Sequence, residues 1–531
     1  MITRKKFELL ILSISIILAA SIFIIVARLA IPAEDAAILY IYSENLANHG
    51  TISFSLDSPP AEGATDFLWM LLIAGLNKIG IESFYGALLI SFVSLLALLF
   101  IFQKTRHFFR GDSNSYLVSI LGLLGIVGTK YINATYQGFS PLCFSGFIVF
   151  TIYSLFLQEK LFPILCLITC LIRPDGLFYL FPLLTIFLIK KSNNNRKTRL
   201  FSLFKFFFLP GVLYFIWRLA YFQEWLPLPF YVKESLDKEL LSLSTGERFL
   251  ILSSFIFICT LIITFWHRYS TSGQKSIRNL DIFLFTCLLS AFSAFVCYTR
   301  FGLSQNISFR FQFPIYIIIL FAFLVYVRDF KLKLLAVAIT LLLILKPTIK
   351  SYQESLIIIP SSNVYPLAQS LKQLGVGKMA VTEAGRLPYY SGWFAIDMWG
   401  LNTKEFAKNL IQPEDIGNYD PDLIVIHAAT KTDYSFFCNP KLKVKKSRSW
   451  VNMTHNIFLG IPKDEYLLFF VPFNNQKKKR YDAFFVKKES NLTSDLVTLL
   501  KDSHGVGPLP IDQPNLTQSC QKYKKFDKFL P

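Results

Sequence analysis

Long apolar runs recur along the first two thirds of the chain, and nothing else in it constrains the fold as tightly. Residues 7 to 27, preceded by Arg4, Lys5 and Lys6, would extend roughly 30 Å as a helix, the depth of a bilayer core. Similar runs follow at 84 to 103, 115 to 131, 139 to 157, 161 to 172, 174 to 189, 200 to 218, 249 to 266, 281 to 299, 311 to 327 and 332 to 348. Together they predict about eleven membrane crossings. The first run is too long for the core of a signal peptide, and no small-x-small cleavage site follows it. Composition agrees: 53% hydrophobic, 16% aromatic and 17% charged side chains over 531 residues is too apolar for an ordinary soluble protein.

Orientation follows the Lys and Arg of short loops. With a cytoplasmic N-terminus, the inner loops hold "KTRHFFR", "QEK", "KKSNNNRKTR", "HRYSTSGQKSIR" and "RDFKLK", and the outer loops hold fewer cations for their length. Eleven crossings then put everything after about residue 350 outside. The net charge of +19 reads as topology, with attraction to anionic lipid besides, and not as nucleic-acid binding. Two parts are expected: residues 1–350, in the membrane with a large first outer loop at 30–83, and an extracytoplasmic soluble domain at 351–531. The second has polar turns, strand-like runs such as "KMAVTEA" and "DLIVIHA", and helical patterns such as "YPLAQSLKQLG", which predict an α/β domain. It holds two of the eight cysteines, Cys438 and Cys520, a disulfide candidate in an oxidising compartment. No metal-ligand motif of the HExxH or CxxC kind occurs.

Charges in or beside apolar runs need a reason, since one at the bilayer centre costs about 2.5 to 3.5 kcal/mol. Glu34 and Asp35 sit just beyond the first run, where Pro32 can begin a second helix, "PAEDAAILYIYSENLANHG". Two readings are open: the pair complements the helix dipole, or it does chemistry in a long outer loop. That loop also carries Glu62 and Asp66, in "AEGATDFLW". In "CLIRPDGLFYLFPLL", Pro174 and Gly176 break the helix around Arg173 and Asp175, so two short helices with a turn below the membrane surface are expected. The Arg173–Asp175 pair either ties that turn or lines a pocket. Arg218, Tyr231 and Lys233 lie in the aromatic-rich "WRLAYFQEWLPLPFYVKES", and Arg300 and Arg310 in "YTRFGLSQNISFRFQFP". Each cation could serve only to reach headgroups. A carboxylate pair and several cations on one membrane face instead suggest an anionic lipid headgroup as ligand, its phosphate clamped by cations while a carboxylate takes a proton. In "GRLPYYSGWFAID", Tyr389 and Tyr390 offer stacking surfaces for a sugar and Asp397 could accept from its hydroxyls; core and turn roles are the other reading.

The segments "EDAAILYIYSENLANHG", "EGATDFLW", "RPDG", "WRLAYFQEWLPLPFYVK" and "EAGRLPYYSGWFAIDMWGLN", in this order, resemble the GT-C superfamily of polytopic membrane glycosyltransferases. The likeness is greatest to the terminal arabinofuranosyltransferases of the mycobacterial cell wall and their bacterial relatives, and extends to about residue 430. It implies an α-helical polytopic membrane protein of about eleven helices with a C-terminal soluble α/β domain, in the bacterial cytoplasmic membrane. Its donor would be a sugar on a polyprenyl phosphate, and its acceptor a glycan, lipid or protein of the cell envelope. The family's acidic pair falls on Glu34 and Asp35, with Asp35 as general base. Arg173, Arg218, Lys233, Arg300 and Arg310 become candidates for the donor phosphate, and Glu62, Asp66, Asp175, Tyr231, Tyr389 and Asp397 for the sugars. Members of the superfamily differ over a divalent metal; if one binds, Glu34 and Asp35 are its ligands, and hard oxygens favour magnesium, manganese or calcium. A ligase or polymerase of lipid-linked glycans is the nearest alternative. A transporter or flippase would show inverted repeats and charges deep in several helices, and neither is present.

Overall fold

The computed structural model describes residues 4–56, 58–111, 115–190, 195–234, 275–301, 306–326, 356–427, 448–472, 481–509 and 511. The chain opens with α1 (Arg4–Leu29) and α2 (Glu34–His49), and continues through α3 (Phe67–Lys78), α4 (Ser83–Arg110), α5 (Ser115–Val127) and α6 (Pro141–Leu157). Next come α7 (Phe162–Ile172), α8 (Gly176–Ile189), α9 (Arg196–Phe222), α10 (Leu228–Glu234), α11 (Lys275–Phe301) and α12 (Gln312–Tyr326). Strands then alternate with helices: α13 (Val364–Gln373), β1 (Lys378–Val381), α14 (Arg386–Ser391), β2 (Phe394–Asp397), β3 (Leu423–Ile426), α15 (Trp450–Gly460), β4 (Tyr466–Pro472), β5 (Tyr481–Lys487), α16 (Thr493–Asp502) and β6 (Val506–Leu509). The chain divides into two compact units, each assembled from separate stretches. The first is Met1–Ala30, Asp66–Ala220 and Leu241–Leu356; the second is Ile31–Thr65, Tyr221–Leu240 and Ile357–Pro531.

The first unit is helical. Among the described residues five helices are long and apolar enough to cross a bilayer: Lys6–Leu29, Ser83–Arg110, Arg196–Phe222, Asn279–Tyr298 and Ile307–Tyr326. Tyr116–Val127 and Lys130–Tyr136, bent by 69°, add a broken sixth. These are the helices of a multi-pass membrane protein. Only 17% of the α1 span and 11% of the α9 span is buried, against 50% in α4, and side chains such as Ile17, Leu18, Phe201 and Val212 stand exposed. Such a surface would be a liability in water, and in lipid costs nothing. Glu8, inside the first apolar run, is buried. The runs expected at 249–266 and 332–348 lie outside the described residues. Those at 161–172 and 174–189 are the short helices α7 and α8, of 11 and 14 residues. At 1.5 Å per residue they rise about 16 and 21 Å, less than a hydrocarbon core. The chain turns between them at Arg173–Asp175, so tightly that a Cβ on Gly176 would lie 3.0 Å from the Thr169 carbonyl oxygen.

The second unit is built on a six-stranded sheet in the order β2-β1-β3-β5-β4-β6. β1 runs parallel to both its neighbours, with Val381 opposite Asp397 on one side and Val425 on the other. β5 is antiparallel to β3 and β4, and β6 antiparallel to β4. Every residue of Leu423–Ile426 is buried, the pattern of a strand covered on both faces. The core joins Ala380, Ile396, Ile424, Leu468 and Phe485 of the sheet to Met453 and Ile457 of α15. The chain leaves β1 for β2 on one side while β3 joins on the other. The carboxyl ends of β1 and β3 therefore lie side by side where the strand order reverses, a placement that favours ligand sites in α/β folds.

α2 belongs to this unit. Its Tyr42 hydroxyl accepts from Gly63 N and donates to Asn402 Oδ1, both at 3.1 Å, so it ties the 61–65 loop to the turn after β2. Gly63 leaves room for that arrangement, because a Cβ there would fall 2.0 Å from Asn402 Oδ1.

Candidate functional site

The acidic pair starts α2, Glu34 and Asp35 occupying its first turn with no side-chain cap. Glu34 is tied down. Its Oε1 accepts from Gly385 N at 2.7 Å and Arg386 N at 3.0 Å, and its Oε2 pairs with Arg386 Nε at 2.7 Å. Gly385 is required for this approach, since a Cβ there would lie 2.1 Å from the Glu34 carbonyl oxygen. The Arg386 side chain is 6% exposed and that of Glu34 17%, so the pair is largely shielded from water. Asp35, the next residue, is half-buried.

The loop that grips Glu34 follows β1, and Glu383 is its second residue. Facing it, at the end of β3, is His427, whose Nε2 lies 3.4 Å from Glu383 Oε1 while its Nδ1 lies 2.7 Å from Oδ1 of Asp482 on β5. Glu34, Glu383, His427 and Asp482 line one small cavity of about 30 Å³, walled otherwise by Val364, Leu367, Leu387, Val425 and Phe484. Burial pushes the Glu383 carboxyl up to about 7, with His427 opposing and Glu34 adding to the rise. Burial alone would lower the His427 pKa, but Asp482 and Glu383 outweigh it and carry it to about 9. The sequence alone did not single out Arg386, His427 or Asp482. "DLIVIHA" did carry a signal, a histidine immediately after a strand of the parallel pair.

Other predicted residues of the second unit hold its fold. Asp397, 1% exposed, accepts from the backbone N–H groups of Trp399, Gly400 and Asn402 and from Asn402 Nδ2. Its oxygens close the turn after β2 instead of facing outward, and burial raises its pKa to about 6 against those donors. Tyr389 is half-buried, its ring centroid 5.7 Å from that of Tyr40 on α2 and 4.7 Å from that of Tyr390. Glu62 is buried, and its carbonyl accepts from Leu228 N at 3.0 Å. Tyr231 accepts from Leu226 N at 3.2 Å and lies beneath the Lys408 ammonium, while Lys233 is exposed. Cys438 and Cys520 lie outside the described residues.

In the first unit the turn between α7 and α8 gathers several candidates. Arg173 binds Asp175 through two parallel bonds, Nε to Oδ1 at 2.9 Å and Nη2 to Oδ2 at 2.8 Å, and the Tyr298 hydroxyl donates to the same Oδ2 at 2.5 Å. The Arg173 guanidinium lies 5.2 Å from the Phe144 ring and 5.3 Å from that of Phe311. Arg310 lies 5.3 Å from Phe311 as well, and 4.5 Å from Phe139. Two of the five predicted cations are thus held around one ring. Asp66 accepts from Ser140 at 2.6 Å. Arg218 is buried on α9 beside Phe215, and the Arg300 side chain lies outside the described residues.

Residues 365–470 match a family described as a domain of unknown function (DUF8728). The match takes in Glu383, Arg386, Asp397 and His427 and stops short of Asp482. No curated protein matches the chain. Among solved structures, the crystal structure of ArnT from Cupriavidus metallidurans in the apo state is similar over 89% of this chain and 97% of that one, at 11% identity and a TM-score of 0.36. Likeness at that level carries no argument about chemistry.

Proposed function

We propose that the chain is a membrane glycosyltransferase that moves a sugar from a polyprenyl-phosphate donor to a hydroxyl of a cell-envelope acceptor, outside the cytoplasmic membrane. The observation that carries this reading is that the acidic pair opens α2 with Glu34 held by Gly385 and Arg386, which fixes the turn that also carries Asp35, the residue proposed as base. Asp35 takes the proton of the acceptor hydroxyl as its oxygen bonds to the anomeric carbon. The bond from that carbon to the phosphate oxygen breaks, and its electron pair leaves on polyprenyl phosphate. Within the first unit, Arg173 and Arg310 are the cations proposed for the donor phosphate, since aromatic surroundings make a cation count for more than it would in water. The pair as built does not fit a divalent metal, because an ion on Glu34 would have to displace three N–H donors. No step is routed through one.

The test uses the full-length protein in nanodiscs, supplied with a panel of polyprenyl-phosphate sugars and an envelope glycan extract. Asp35→Asn is expected to lower transfer by about 10²-fold or more, the usual contribution of a positioned base. Transfer undiminished in that variant removes Asp35 as base. Absence of transfer from every donor by the unaltered protein removes the reading itself.

A further inference from the structure

We propose that His427 is a positioning residue for the acidic pair: by pairing with Asp482 and Glu383 together, it holds the loop that docks the first turn of α2, and with it Asp35. The consequence for transfer rests on Asp35 being the base. The docking itself does not.

The argument starts from the ring. Both nitrogens of His427 face carboxylates, Nδ1 toward Asp482 and Nε2 toward Glu383. A neutral imidazole has one N–H and can donate to only one of them, whereas an imidazolium donates to both. Around the cavity stand three carboxylates, Glu34, Glu383 and Asp482, and among the described residues Arg386 pairs with Glu34 and His427 with the other two. Without its charge His427 leaves Glu383 facing Glu34 and Asp482 in apolar surroundings. Glu383 is two residues from Gly385, whose N–H grips Glu34, so movement of Glu383 is passed to the grip directly. Two uncharged groups also hold His427. Its N–H donates to Thr382 Oγ1 at 2.8 Å, and its carbonyl accepts from Trp450 Nε1 at 3.0 Å. A pKa raised to about 9 keeps the ring charged through neutral pH.

His427→Gln removes the charge and Glu383→Gln removes the need for it, so the double variant is the diagnostic one. Measured on the full-length protein in nanodiscs, amide hydrogen exchange across residues 33–40 is expected to quicken about tenfold in His427→Gln. It should return to within about threefold of the unaltered rate in His427→Gln/Glu383→Gln. In the transfer assay, kcat is expected to follow the same order with KM little changed; the unaltered protein should lose rate as His427 gives up its proton near pH 9, and that loss should vanish in the double variant. A double variant as fast-exchanging as the single one overturns the proposal. If the single variant does not fold, ¹³C-histidine NMR of the unaltered protein decides. A His427 midpoint near 9 that falls in Asp482→Asn supports the proposal, and a midpoint at the ordinary histidine value of about 6.5 overturns it. Failure of all transfer with the exchange pattern intact would remove the glycosyltransferase reading and leave the positioning role standing.

Discussion

Glu34 and Asp35 are neighbours in sequence, yet a helix turns about 100° between consecutive residues, so a single turn can aim them at different partners. The substitution Glu34→Gln keeps the shape and leaves Arg386 buried without its counter-ion. It is expected to cost about 3 kcal/mol of stability, toward the lower end for a broken buried pair, read as a shift in the denaturation midpoint of the second unit. Asp35→Asn is expected to shift that midpoint less than Glu34→Gln does, so the two variants separate holding from chemistry. The acidic pair could be found in the sequence because two charges after an apolar run are conspicuous. Arg386 could not, because nothing within its own segment shows that its partner lies 352 positions earlier. Asp397 was ambiguous for a different reason: acid, glycine and tyrosine in one segment suit a sugar site and a tight turn equally well, and the four donors on its oxygens became visible only in the fold.

Among elements, the loop after β1 and the turn between α7 and α8 do most to place side chains. Gly385→Ala would drive a Cβ to 2.1 Å from the Glu34 carbonyl oxygen, and backbone on both sides leaves no flexible end to yield. The expected result is a second unit destabilised by about 3 kcal/mol or more, with exchange protection at the start of α2 lost. At the other turn, Asp175→Asn should loosen Arg173 and deprive the Tyr298 hydroxyl of its ionised acceptor. Under the proposed reading it raises KM for the lipid-linked donor more than it lowers kcat, as expected for a residue that shapes a binding group. Elements of this kind were largely legible. Apolar runs gave the helices of the first unit, "KMAVTEA" and "DLIVIHA" gave β1 and β3, and Pro32 marked the entry to α2. The order of strands in the sheet was not, since it depends on pairings such as Ile426 with Ala483 that short-range patterns do not encode.

For the whole molecule, the Glu383–His427 group gives stability a pH dependence of fixed sign. Unfolded Glu383 would release its proton near 4.5, while the folded residue keeps it to about 7. Unfolded His427 would titrate near 6.5, and the folded residue near 9. In both intervals the folded state binds more protons than the unfolded one, so stability falls as pH rises through them. The thermal midpoint of the second unit is therefore expected to decline from about pH 5 to pH 9. His427→Gln should flatten the upper part of that decline, and a midpoint that rises across the range would contradict the assignment.

The grip on Glu34 joins residues 351 positions apart. A ribosome adding about 5 to 20 residues each second needs roughly twenty seconds to a minute or more to make that much chain. Throughout that interval α2 has left the ribosome while the loop that will hold it has not been made. Glu34 is thus synthesised long before the groups that grip it. A chain interrupted before Gly385 carries Glu34 without that grip, so the geometry proposed for transfer arises only after synthesis has passed Arg386.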